Sequence, residues 1–485
     1  VRVKYFLCWS WRTVRGAVSA AGEASDPEMH HVLKGHHMDW DDIEQRAMVY
    51  VLASAWESAE TVILSAGGQV IASDAVPTKG VRVLGLLVIC WRRQGKLDAA
   101  RQGTRQIARI LESADEMSSD ARMLAMICII NKMIEDGDYA RASATLDELR
   151  PLRSSDAWVN ARLKVIEAKL LLRKGQLSES ESAALAAAVE ARRAQSEGQV
   201  GDAYILLATI AKQRGRVTEA CGLYGQAGAQ YAAAGDDSAL AMVELNRGLA
   251  LGTLGRVKVA KSAFEDALAH AEFAGRPASV LRCKIGVAWC EMRMGWLHEA
   301  RGGLLGTWRL ARRLGLIREE AIALEYLVQC YVLLGLTFQA RCALGVIQWR
   351  LKDCTIPDVE IEVELHAASV LLLEGRASEA VKTARAGLDG ARKLGLMWEE
   401  TIALRTLGLA HMHRGSKSRA RRYFEEARDI LELMKERLDF ALVSAWITGI
   451  DAETSDEASR RIIGSVSRAG DEIRSVEFWV RHELW

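Results

Sequence analysis

Apolar positions along most of this chain recur three and four residues apart, the spacing that gathers them on one stripe of an α-helix. Leu245–Leu254 shows the pattern, and so does Ala260–Leu268 a few residues later. Glycines interrupt the stripes at Gly95, Gly137, Gly175, Gly215, Gly255, Gly295, Gly335, Gly375 and Gly415; after steps of 42 and 38 every spacing is 40. A second series, Gly235, Gly275, Gly315 and Gly395, runs half a period out of phase, with Thr355 at its missing member. The chain is thus punctuated about every 20 residues, which predicts helices of roughly 15–17 residues joined by tight turns. Glycine suits such turns because a helix commonly ends on a left-handed residue that only glycine adopts cheaply.

Five residues after each glycine of the first series stands Ala100, Ala142, Ser180, Ala220, Ala260, Ala300, Ala340, Ala380 or Ala420. Small residues such as Gly248, Ala260 and Ala267 let paired helices approach closely, and Phe264 fills the space beside them. Tyr224 with Ala227 and Phe424 with Ala427 repeat that arrangement one and four repeats away. One such pair cannot bury its own apolar face, so neighbouring pairs must stack.

Glycine, then alanine five on, then an aromatic and a further alanine resembles the tetratricopeptide repeat. Leu407-Gly408 and Arg247-Gly248 sit where that family has its Leu-Gly pair. The resemblance covers roughly residues 76–435 and is strongest over 201–435. It departs from the family in its period, 40 against the usual 34, and in mostly lacking the helix-ending proline. The longer period is similar to that of the helical arms of large bacterial transcription activators and signalling ATPases. The resemblance implies an all-α fold, a right-handed superhelical solenoid of stacked antiparallel helix pairs. The expected organisation is an irregular segment over 1–38, degenerate capping helices over 39–75, nine tetratricopeptide-like pairs over 76–435 and degenerate capping helices over 436–485.

Composition narrows the function. The 485 residues carry 64 Lys+Arg against 63 Asp+Glu, and near-neutrality argues against nucleic-acid binding by the whole surface. Arg421-Arg422 and Arg460-Arg461 are short, isolated and without an aromatic platform. Five prolines, where average usage would give roughly 24, agree with helix nearly throughout. No apolar run approaches the ~18 residues of a membrane span. Nine cysteines form no Cys-x-x-Cys and several sit in apolar stretches, so they read as buried thiols in a reducing cytoplasm. Arg12 and Arg15 cut the first apolar run to the minimum for a signal peptide, which argues against secretion. Val1 in place of Met reads as a GTG start or as a piece of a longer chain.

Catalytic motifs are scarce. There is no phosphate loop of the Gly-x-x-x-x-Gly-Lys-Ser/Thr type, no Gly-x-Ser-x-Gly elbow and no His-Glu-x-x-His helix, so no enzyme and no cofactor are expected. His30, His31, His36 and His37, with Asp39, Asp41 and Asp42 behind them, have ligand chemistry for Zn or Ni. Adjacent histidines rarely converge on one ion, so the cluster reads as a polar loop and no metal site is assigned.

In tetratricopeptide repeats the residue six before the turn glycine usually faces the concave groove, which here selects Asn131, Lys169, Trp289 and Gln329, among others. The same helices add Arg92, Arg93, Arg173, Lys212, Arg282, Arg293 and Arg405, opposed by Glu135 and Asp202. An excess of Lys/Arg on that face would favour an acidic peptide or a C-terminal carboxylate. The function expected is a non-enzymatic scaffold or adaptor holding a peptide or protein partner in the groove. The alternative is the helical sensor arm of a bacterial transcription or signal-transduction regulator. Exposed end repeats also leave room for self-association.

Overall fold

The computed structural model describes residues 39–450 except 73–75, 114–116, 150, 151, 153 and 352–356. The histidine cluster at 30–37, Thr355 and the capping segment beyond 450 lie outside the described residues. Among those described there are twenty-one α-helices and no strand, and 17 residues is the commonest helix length. The fold is a stack of antiparallel helix pairs of the tetratricopeptide type. In each repeat the helix before the 40-spaced glycine is called A here, and the helix after it B.

The turns show why glycine recurs. In the Gly295 repeat the A helix is Pro277–Arg293 and the B helix Leu297–Arg313. Gly295 takes φ +79°, its N–H donates to Met292 O at 2.9 Å, and Trp296 N–H donates to Glu291 O at 2.8 Å. These two bonds are the Schellman closure, which satisfies carbonyls the helix end would leave unpaired. The half-period series also continues through Gln195 (φ 51°) and Lys435 (φ 59°), which hold the left-handed conformation without being glycine.

Close packing explains the small residues. Phe264 is fully buried between two A helices: a Cβ on Gly248 or on Gly286 would stand 2.7 Å from its ring. Gly408 makes the same room for Phe424. All nine positions five after the turn glycine are buried, including Ser180, whose hydroxyl donates to Ala168 O at 2.8 Å. That bond lets a serine stand where the others are alanine.

The chain forms two compact units. One runs to Val200 and takes in Ala233–Asp236; the other comprises Gly201–Ala232 and the chain from Asp237 onward. The core of the first unit gathers Trp40, Leu84, Leu124 and Trp158, with Arg82 among the carboxylates of Glu44, Asp120 and Asp156. The main core of the second runs from Leu251 to Ile450, and Trp446 packs against Phe424 with ring centroids 5.3 Å apart. No described helix is long and apolar enough to cross a membrane.

Candidate functional site

Stacked A helices lie side by side, so one register position in successive repeats falls on one face. Trp289, Gln329, Ser369 and Leu409, each six residues before its turn glycine, all line a single recess of about 100 Å³ in the second unit. The Trp289 ring also fills a packing role, since a Cβ on Gly252 would stand 2.7 Å from it. Trp398 and Tyr326 complete the aromatic wall.

Arg293 and Arg405 line the same recess, but their charged ends point inward. Nη1 and Nη2 of Arg293 donate to Oδ1 and Oδ2 of Asp439 at 3.0 and 2.9 Å, and Nη1 of Arg405 donates to Oδ1 at 2.9 Å. Asp439 is 1% exposed. Burial alone would raise its pKa; the two guanidiniums outweigh that and hold its carboxyl below the usual range. Arg293 lies 5.4 Å over the Trp289 ring and Arg405 5.2 Å over that of Trp446, which fixes both in place.

The remaining wall is acidic or neutral. Glu325 stands 3.3 Å from Nε2 of His366, and both are buried. Desolvation pushes His366 below the ordinary histidine value, opposed by Glu362, and desolvation with Glu325 and Glu362 raises the Tyr326 hydroxyl. Against Arg293 and Arg405 therefore stand Asp439, Glu325 and Glu362. The excess of free cations expected of this face is absent from the recess, because a long-range carboxylate occupies them.

The other expected site residues are dispersed. In the second unit, Arg282 donates through Nε and Nη2 to Oε1 of Glu319 at 3.0 and 2.9 Å. Lys212 is exposed at the end of its helix. In the first unit, Lys169 Nζ donates to Asn131 Oδ1 at 2.7 Å, so two of the expected residues do meet. Arg92 pairs with Glu135, Arg93 lies 5.3 Å over the Trp56 ring, and Arg173 is exposed. Asp439, Glu325, Tyr326, His366 and Trp398 lie off the six-before-glycine register and were missed on that account. The one signal for Asp439 was a carboxylate inside the otherwise apolar run after Arg437.

No family model matches the chain, and no curated protein matches it. Solved structures do. A Rap protein complexed with competence and sporulation factor is 14% identical, with a TM-score of 0.56 over 74% of this chain and 100% of that one. The apo form of RapI is 10% identical, with a TM-score of 0.55 over 78% and 99%. Aspartyl phosphate phosphatase F from Bacillus subtilis is 13% identical, with a TM-score of 0.50 over 73% and 95%. At these identities the likeness is one of fold. It supports a tetratricopeptide-like helical repeat fold for the chain.

Proposed function

We propose that this chain is a non-enzymatic scaffold that binds a peptide, or an extended segment of a protein partner, along the A-helix face of its second unit. The observation that carries the reading is the convergence of Trp289, Gln329, Ser369 and Leu409, from four successive repeats, on one recess. A face held by stacked helices is preformed, so a ligand orders little protein on binding. Trp289 and Leu409 offer apolar surface for one ligand side chain. The Gln329 amide has no hydrogen-bond partner among the described residues and is available to a peptide group. Since Asp439 already engages Arg293 and Arg405, the residue taken into the recess is apolar and not a carboxylate. The similar Rap structure, which holds competence and sporulation factor, supports binding by this fold. The same recess would serve the sensor arm of a bacterial regulator, and an ATPase or DNA-binding domain in the same reading frame would favour that use.

The test is peptide display on the full chain, followed by affinities for the enriched peptides with wild type, Gln329→Lys and Leu409→Glu. Both substitutions change the recess lining, and circular dichroism and Tm check that the stack is intact. Enrichment of an apolar consensus, weakened about ten-fold or more by each variant, supports the reading. Equal affinity for all three proteins, or no enriched peptide, overturns it.

A further inference from the structure

A larger opening lies elsewhere in the second unit and shares no residue with the recess: a cleft of about 1070 Å³. One wall is formed by the A–B turns at Gly215 and Gly255, with Leu254 and Val259. The other is formed by the end of the B helix Lys417–Leu433 and by the helix Arg437–Gly449, which contributes Phe440. The volume is that of a small-molecule site.

Its chemistry is two-sided. Leu254, Val259 and Phe440 are all partly accessible and supply an apolar surface, with Val259 44% exposed. Around them stand three cations, Arg256, Lys435 and Arg437, none with an ion-pair partner among the described residues. Two carboxylates, Glu432 and Glu436, share the lining, so the three cations outnumber them. Lys435 occupies a turn position where Gly235, Gly275, Gly315 and Gly395 stand in other repeats, and does so at φ 59°. A side chain there is less favourable than glycine, and such strain concentrates at working sites. Gln195 shares the register, so strain alone does not single out Lys435. Its position does: Lys435 Cγ lies 3.3 Å from where a Gly215 Cβ would be, over the opposite wall of the cleft.

We propose that this cleft binds a small amphipathic anion, a molecule with a carboxylate or phosphate head held by Arg256, Lys435 and Arg437 and an apolar body laid on Leu254, Val259 and Phe440. Charge-assisted bonds to the head fix orientation, and burial of the body supplies most of the affinity. The assignment does not rest on the peptide groove.

The test is isothermal titration of the full chain with dodecanoate and with dodecyl phosphate, which separate the two head groups, and with dodecanol and acetate as controls. Saturable one-to-one binding is expected for at least one of the two anions, weakening as salt is raised. Dodecanol and acetate should bind at least about ten-fold more weakly, for want of the head or of the tail. Lys435→Gly restores the residue the turn prefers, so it raises Tm while weakening binding about two- to five-fold. Adding Arg256→Gln and Arg437→Gln brings the loss to about thirty-fold. Absence of saturable binding by both anions, equal binding of dodecanol, or an affinity unchanged in the triple variant overturns the proposal.

Discussion

Asp439→Ala removes a carboxylate that bridges Arg293 and Arg405. The side chains of Arg293 and Arg405 are only 8% and 14% exposed, so each loses a charged partner with little water to replace it. Breaking a buried ion pair by deleting one member costs about 3–5 kcal/mol, because a charge is left desolvated. In a stack of repeats the loss falls on the elements the triad joins, Pro277–Arg293, Met397–His413 and Arg437–Gly449. Urea unfolding followed by circular dichroism measures the total, and amide exchange over 437–449 locates it. A comparison separates desolvation from the worth of the pairs: Arg293→Met/Asp439→Leu/Arg405→Met removes all three charges and is expected within about 1 kcal/mol of wild type. The pH dependence has a definite sign. The folded-state pKa of Asp439 lies below the ordinary 3.8, so its contribution is full above that value and is lost as pH falls through the folded value. The gap between wild type and Asp439→Asn should therefore be constant near neutrality and shrink only below about pH 4. A cost below about 1 kcal/mol for Asp439→Ala, or a triple variant as damaged as the single one, would refute the reasoning.

Glycine-to-alanine substitutions should split by environment. Gly286→Ala pushes a Cβ to 2.7 Å from Phe264 and should cost about 1–3 kcal/mol despite better helix propensity, while Gly302→Ala, with nothing within 4 Å, should stabilise by about 0.5–1 kcal/mol. Thermal melts of the two variants check the difference in sign. Thiol reactivity should follow burial: desolvation pushes Cys90, Cys283 and Cys290 up to about 12 and Cys128 and Cys330 to about 11, whereas Cys342 is exposed. Mass spectrometry after brief alkylation of native protein at pH 8 should find Cys342 modified and those five protected until the chain unfolds.

The repeat shows how far a sequence reading reaches. Register counting brought out Trp289 and Gln329, and by the same count Ser369 and Leu409, because equivalent positions of stacked A helices share a face. The same counting nominated Arg293 and Arg405 as groove cations; both line the recess, but with their guanidiniums engaged by Asp439. Whether a charge is free depends on what lies opposite, and Asp439 is 146 residues from Arg293. In the first unit the uneven steps of 42 and 38 weaken the register, and there Lys169 meets Asn131 and Arg92 meets Glu135.

The sequence by itself determined helix length, the turns and the close approach of paired helices. Each of these is settled within about one 40-residue repeat by apolar spacing, a left-handed glycine and small residues opposite aromatics. Tertiary structure alone decided which charges neutralise one another and where open space remains. Arg293 lies on Pro277–Arg293 and Asp439 on Arg437–Gly449, and the cleft joins Gly215 to Lys435. Small rotations between successive repeats add up to set such meetings. That sum belongs to the packing of many interfaces, and no single repeat carries it.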